Sequence, residues 1–152
     1  MNLKNLSKPN DFWEYFEAIL KIPRCTKNEE EIRKFIKNEC ESLGYNTKTD
    51  DVGNLLAFPV SERKNSRKIV IFQSHMDMVC EKNKEITHDF SKDPINVETI
   101  DKDSERWLTA KGTTLGADNG VGIAYSLALL STISKQQSNS DFPIVKFLFT
   151  VE

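Results

Sequence analysis

Lys68-Ile-Val-Ile-Phe-Gln-Ser-His75-Met-Asp77-Met is the stretch on which the fold turns. Its β-branched and aromatic run predicts a buried strand. The strand ends in a histidine and an aspartate two positions apart, and side chains of an extended segment alternate faces, so His75 and Asp77 point the same way. Chemistry in open α/β sheets gathers beyond the carboxyl ends of strands. An imidazole placed there is a ready metal ligand, and a carboxylate beside it can orient the ring. A structural histidine–aspartate pair is the rival reading, and the H-x-D spacing alone leaves the two open.

A second cluster, Ala110-Lys-Gly-Thr-Thr-Leu-Gly116-Ala-Asp118-Asn-Gly-Val-Gly122, runs into the helical spacing of Ile123, Ala124, Leu127, Ala128 and Leu130. Asp118 therefore stands in a glycine-rich turn at a helix start. An aspartate there is a favoured N-cap, stabilising by about 1 kcal/mol, but a cap does not require Gly112, Gly116, Gly120 and Gly122 around it. A phosphate loop fits poorly. Lys111 precedes Gly112 where the Walker pattern has Gly-Lys-Ser/Thr, and an acid at the helix entry repels phosphate while it welcomes a cation.

Three segments in order resemble the aminoacyl-histidine dipeptidases, cytosolic members of a wider clan of co-catalytic zinc hydrolases. They are Phe72-Gln-Ser-His75-Met-Asp77-Met-Val, His88-Asp-Phe-Ser-Lys-Asp-Pro94-Ile, and Trp107 through Gly122; Ile22-Pro23 and Asp51-Val-Gly53-Asn54 match the same pattern earlier in the chain. The resemblance implies that His75 binds one of two divalent metal ions, with zinc foremost and cobalt or manganese as alternatives. It implies that Asp118 bridges both ions and that Asp77 steers His75 as the accessory catalytic residue. Asn119 would help to hold the loop. His88 is assigned a structural or substrate-side role and no metal.

The family's next motif is a Glu-Glu pair, and this sequence ends at Glu152, which is either the general base or the residue before the pair. Residues 1–152 are accordingly expected to be the N-terminal segment of a metallopeptidase catalytic domain, without the inserted dimerisation domain and the C-terminal half. The implied activity is hydrolysis of dipeptides, of the Xaa-His type, by a dimetal-activated water, with this segment inactive alone. The expected partners are a dipeptide substrate and another chain, either a second copy at an exposed sheet edge or the missing C-terminal part. The alternative is a non-catalytic interaction module with a vestigial metal site.

Composition narrows the class further. Hydrophobic content of 38%, charged content of 29% and a net charge of −2 describe an ordinary globular chain with no case for nucleic acid or an anionic membrane. No apolar run reaches the ~20 residues of a membrane span, and the first residues lack the apolar core of a secretory signal, so a cytoplasmic setting is expected. Cys25, Cys40 and Cys80 are odd in number and widely spaced, which predicts reduced thiols and no disulfide.

The fold class expected is α/β, a mixed sheet with helices on both faces. Phe12, Phe16, Ile19 and Leu20 mark a first helix ended by Pro23; Ile32, Phe35, Ile36, Cys40 and Leu43 mark a second, capped by Thr26 and closed by Gly44. Strands follow at Tyr45–Lys48 and Leu55–Pro59 around an Asp50–Asn54 turn. A polar loop at 61–67, a long irregular stretch from Glu81 to about Asp103, a short strand at Trp107–Thr109, a solvated linker at Ser131–Asp141 and a buried strand at Phe142–Val151 complete the expected order.

Overall fold

A computed structural model describes residues 3, 6–60, 68–135 and 143–152. The expected 61–67 loop and part of the expected linker lie outside the described residues. The elements run α1 (Asn10–Ile19), α2 (Glu30–Ser42), β1 (Tyr45–Thr49), β2 (Leu55–Pro59), β3 (Ile69–His75), β4 (Val97–Lys102), β5 (Glu105–Ala110), α3 (Ala117–Lys135) and β6 (Ile144–Thr150). The class is α/β with a mixed sheet. Four strands lie in the order β1-β2-β6-β3, with β3 parallel to β6 and the other pairings antiparallel, while β4 and β5 form a separate hairpin.

The final strand is the centre of the sheet. Val145, Phe147 and Phe149 of β6 are buried on the face that also carries Leu55 and Ala57 of β2. Ile32, Ile36 and Cys40 of α2, Phe12, Phe16 and Ile19 of α1, and Ile123, Leu127 and Leu130 of α3 close over that face in one cluster. Each helix buries residues three or four apart, the spacing of a single helical stripe. Gly44, at φ 81°, ends α2 in the left-handed conformation that a glycine adopts without a Cβ clash.

Six expectations need correction. Helices were expected on both faces of the sheet, whereas among the described residues α1, α2 and α3 close over one face. The β3 strand is not buried: Ile69, Val70, Ile71 and Phe72 are 39–57% exposed, because β3 is the last strand of the sheet and only β6 pairs with it among the described residues. Apolar content marked it as a strand but could not place it in the sheet. The stretch 81–103 is less irregular than expected, since β4 occupies its end. Ser131–Lys135 belong to α3 and not to a linker, with Ser131 buried and Ser134 donating to the Ser131 carbonyl.

Thr26 does not cap α2, whose N-cap position is Glu29 without a side-chain cap bond; its hydroxyl goes elsewhere, as described below. Finally, Cys25 and Cys80 form a disulfide across 55 residues, where reduced thiols were expected. The backbone at Cys25 bridges to Met78, which brings the two Cα atoms to 5.6 Å, within the span a disulfide needs. Widely spaced cysteines look unrelated until that bridge is seen.

The Asp50–Asn54 turn forms as its residues predict. Asp50 Oδ1 accepts from the backbone N–H groups of Val52, Gly53 and Asn54, and Oδ2 accepts from the Asn54 side chain. Asn54 Oδ1 in turn accepts the Val151 N–H at 3.0 Å, tying this turn to the end of β6. The Asn54 side chain and the three backbone donors hold the Asp50 carboxyl below the usual aspartate value. A carboxyl depressed in the folded state stabilises above its unfolded pKa and loses that contribution as pH falls through the folded one. Asp50→Ala is therefore expected to lower Tm at neutral pH and to narrow the gap from the parent under acid, in melts recorded across pH; equal losses at every pH would rule this out.

Candidate metal centre

Parallel pairing puts the carboxyl ends of β3 and β6 side by side. His75 is in register with Thr150, the Met76 N–H donates to the Thr150 carbonyl at 2.8 Å, and Gln73 donates to the Thr150 hydroxyl at 3.0 Å. Asp77 follows His75, and exposed Glu152 follows Thr150 at the same end of the sheet. His75 Nδ1 lies 2.9 Å from Asp77 Oδ1, as the two-residue spacing requires. The other Asp77 oxygen accepts from the Thr26 hydroxyl at 2.6 Å, so Asp77 is held from two sides.

Asp118 arrives from the glycine-rich turn. Its oxygen lies 2.9 Å from His75 Nε2, although the two residues are 43 positions apart. Asp118 and Asn119 keep non-helical backbone angles, the peptide between them is cis, and the regular helix follows them. Asn119, not Asp118, supports the helix start: its Oδ1 accepts the Gly122 N–H at 3.0 Å. Gly122 permits this, because a Cβ there would collide with the Asn119 side chain and come within 2.8 Å of Ser74 Oγ.

Partial burial disfavours a charged His75, but the hydrogen bonds to Asp118 and Asp77 and their charges outweigh it, so its pKa stands above the ordinary value. Burial raises the Asp77 carboxyl, and the bonds from Thr26 and His75 more than reverse this, leaving it lowered. A protonated His75 donates from Nδ1 to Asp77 and from Nε2 to Asp118. The Nε2 proton stands where a cation would stand.

Two donors on one tetrahedral zinc, at about 2.0–2.2 Å each, lie roughly 3.3–3.6 Å apart. The 2.9 Å between His75 Nε2 and Asp118 Oδ1 needs only a small opening to admit an ion, and the Asp118 side chain is 93% exposed and free to give it. The residues present fit a metal. Asp77 completes the carboxylate–histidine arrangement that fixes the ring and strengthens its free nitrogen as a ligand. No group of three or more His, Cys, Asp or Glu suited to a metal occurs among the described residues, so these two donors are what the described residues offer.

His88 lies apart from this pair. It is buried, edge-on to Phe90 at 4.4 Å, and its Nε2 has no hydrogen-bond partner among the described residues. Arg24 was not singled out in the sequence. It is 2% exposed, and its guanidinium donates to the carbonyls of Met76 at 3.1 Å, Asp77 at 3.0 Å and Gly116. A single arginine five residues after α1 gives no periodic signal; its position after Ile22-Pro23 was the one available hint.

If His75 is a ligand, Asp77→Ala should weaken zinc binding by about 10–100-fold, the usual effect of losing a ligand's outer partner. Calorimetric titration of folded variant and parent checks this; equal affinities would leave Asp77 a purely structural residue.

No family model matches the chain. It is 41% identical over 124 residues to the cytosol non-specific dipeptidase of Escherichia coli (strain K12), a match covering 81% of this chain and 25% of that protein. The structure superposes on the aminoacylhistidine dipeptidase of Vibrio alginolyticus with a TM-score of 0.78 at 35% identity, covering 98% of this chain and 29% of the other. A tripeptidase from Staphylococcus aureus gives a TM-score of 0.69 at 27% identity, covering 93% of this chain and 36% of that one.

Fold and sequence thus make the chain similar to part of several peptidases. More particularly, it is similar to part of an aminoacylhistidine dipeptidase, of the family whose motifs it resembles. It spans about a quarter of the length of the E. coli relative. No helix among the described residues is long and apolar enough to cross a membrane.

Proposed function

We propose that this chain supplies part of the catalytic centre of a cytoplasmic, metal-dependent dipeptidase that hydrolyses dipeptides of the Xaa-His type. The observation that carries the reading is the convergence of His75 Nε2 and Asp118 Oδ1 at 2.9 Å, at the carboxyl ends of β3 and β6. The relatives' names, a dipeptidase and an aminoacylhistidine dipeptidase, support the substrate class.

His75 and Asp118 would hold metal, with Asp118 shared between two ions, zinc first and cobalt or manganese as alternatives. When bound, such ions polarise a carbonyl and make water acidic enough to attack near neutral pH. The chain's own part is orientation. Asp77 keeps the Nδ1 proton of His75 and so presents Nε2 to the ion. Thr26 fixes Asp77, and Asn119 braces the turn that carries Asp118. Glu152, one strand over, is either the general base or the residue before it.

Purified residues 1–152 are expected to bind zinc yet leave a dipeptide with a C-terminal histidine intact, because their described side chains offer two donors and not a full set. Chromatographic assay of the free histidine tests this. Turnover that disappears in Asp118→Ala would overturn the claim of inactivity while supporting the site.

A second reading has its own observation. Ile69, Val70, Ile71 and Phe72 leave β3 with an exposed apolar edge, beside a groove of about 410 Å3 lined by Phe72, Ser74, Gly122, Tyr125 and Leu129. Such an edge can accept a strand from another chain. Size-exclusion chromatography over a range of concentrations separates the readings, since an interaction module forms a discrete oligomer.

A further inference from the structure

Three segments must meet for His75 and Asp118 to face each other: residues 24–26, residues 76–78 and the turn at Gly116. The first two run alongside one another. The Met78 N–H donates to the Arg24 carbonyl at 2.9 Å, the Thr26 N–H to the Met78 carbonyl at 3.3 Å, and the Cys25–Cys80 disulfide fastens the same pair of segments. None of these contacts reaches the turn that carries Asp118. The Arg24 side chain does, beside the bonds that Thr114 donates to the Val79 and Glu81 carbonyls at the start of that turn.

One nitrogen of its guanidinium, Nη1, donates to the carbonyls of Met76 and Asp77, and the other, Nη2, donates to the carbonyl of Gly116. The planar fork spans strand end and turn with a fixed separation, which a lysine ammonium on its single point cannot do. The glycines of the turn are shaped around it. A Cβ on Gly116 would come within 2.5 Å of Arg24 Nη2, and one on Gly120 within 2.7 Å. The buried guanidinium thus fills space that a side chain would need at two of the glycines that marked the motif in sequence, together with the Met78 thioether at Gly116, whose φ of 70° also favours glycine, and the Phe16 ring at Gly120. Arg24 is also a buried cation whose charge interacts with Asp77 and Asp118. Burial lowers its pKa only to about 10, so it stays charged at neutral pH.

We infer that Arg24 is the positioning residue of this site: its guanidinium clamps the Met76–Asp77 strand end to the Gly116 turn and so sets the His75–Asp118 separation. The guanidinium acts through the backbone carbonyls it bonds. The inference deepens the metal-centre reading and rests on it for the zinc measurement alone.

The test compares the parent with Arg24→Lys, which keeps the charge and loses the fork, and with Ile36→Ala, a core variant in α2 away from the site. Amide hydrogen exchange and zinc titration are measured on each. Arg24→Lys should lose protection selectively at Gly120 and Gly122 and bind zinc about 10–100-fold more weakly, as for other outer partners of a metal ligand. Ile36→Ala should loosen the molecule without that selectivity and keep zinc affinity while folded. Uniform exchange in Arg24→Lys, or zinc binding equal to the parent, overturns the inference. Should the parent bind no zinc, the metal-centre reading fails and the exchange pattern alone decides Arg24.

If Arg24→Lys does not fold, the parent itself answers by NMR. A clamped guanidinium shows separate, slowly exchanging Nη protons, whereas one averaged, fast-exchanging signal refutes the clamp.

Discussion

Asp118→Ala should abolish measurable zinc binding while leaving the fold almost unchanged. The two halves of that expectation have different causes. The Asp118 side chain is 93% exposed and packs into nothing, so its removal should move stability by no more than about 0.5 kcal/mol, the usual range for surface positions. The helix start does not depend on it either, because Asn119 accepts the Gly122 N–H. Its carboxylate oxygen, however, is the partner of His75 Nε2. Without it one of two donors is gone, a larger loss than the about 10–100-fold that follows when an outer partner is removed. Competition with a chromophoric chelator, beside a thermal melt, reads both quantities. Retained affinity would show that His75 takes metal with other partners or not at all.

The second large effect lies in the sheet. Phe147 is fully buried at the middle of the central strand, paired with Ala57 on one side and Phe72 on the other. Its ring stacks on Phe72 at 5.8 Å and tilts against Tyr45 at 6.0 Å. Phe147→Ala removes these contacts and leaves a cavity between sheet and helices, a change that costs about 3–5 kcal/mol. Set against a total of about 5–15 kcal/mol for a folded domain, this is a large fraction. Tm should fall on the order of 10 °C for a chain of this size. Circular dichroism melts test it, and a fall of only a degree or two would mean that β6 is not the central strand. The same variant should loosen the His75–Thr150 register, so the site depends on a residue far from it in sequence.

Sequence made the local elements legible where periodicity was strong. The stripes of α1 and α2, the β2 strand and the Asp50 turn are where their residues predict, because each is decided by neighbours a few positions away. The His75–Asp77 pairing was equally local, since strand alternation alone puts both on one side. What failed was long-range. The position of β3 at the sheet edge depends on which strands pair, and a parallel partner 75 residues away, Ile144 to Ile69, leaves no trace in the β3 residues themselves.

Thr26 looked like a helix cap because Glu29 follows it at capping-box spacing, but a carboxylate 51 positions on takes its hydroxyl. Cys25 and Cys80 looked solitary for the same reason, as did Arg24, whose acceptors lie 52, 53 and 92 positions ahead. The glycines around Asp118 marked more than a helix cap, while the group approaching two of them, a guanidinium, could not be read from the turn alone.

The most direct test is a crystal of this chain grown with zinc and measured across the zinc absorption edge. An anomalous peak should lie about 2.0–2.2 Å from both His75 Nε2 and an Asp118 oxygen, with Asp77 still on Nδ1. Zinc bound elsewhere, or His75 and Asp118 on separate sides of the molecule, would contradict the account.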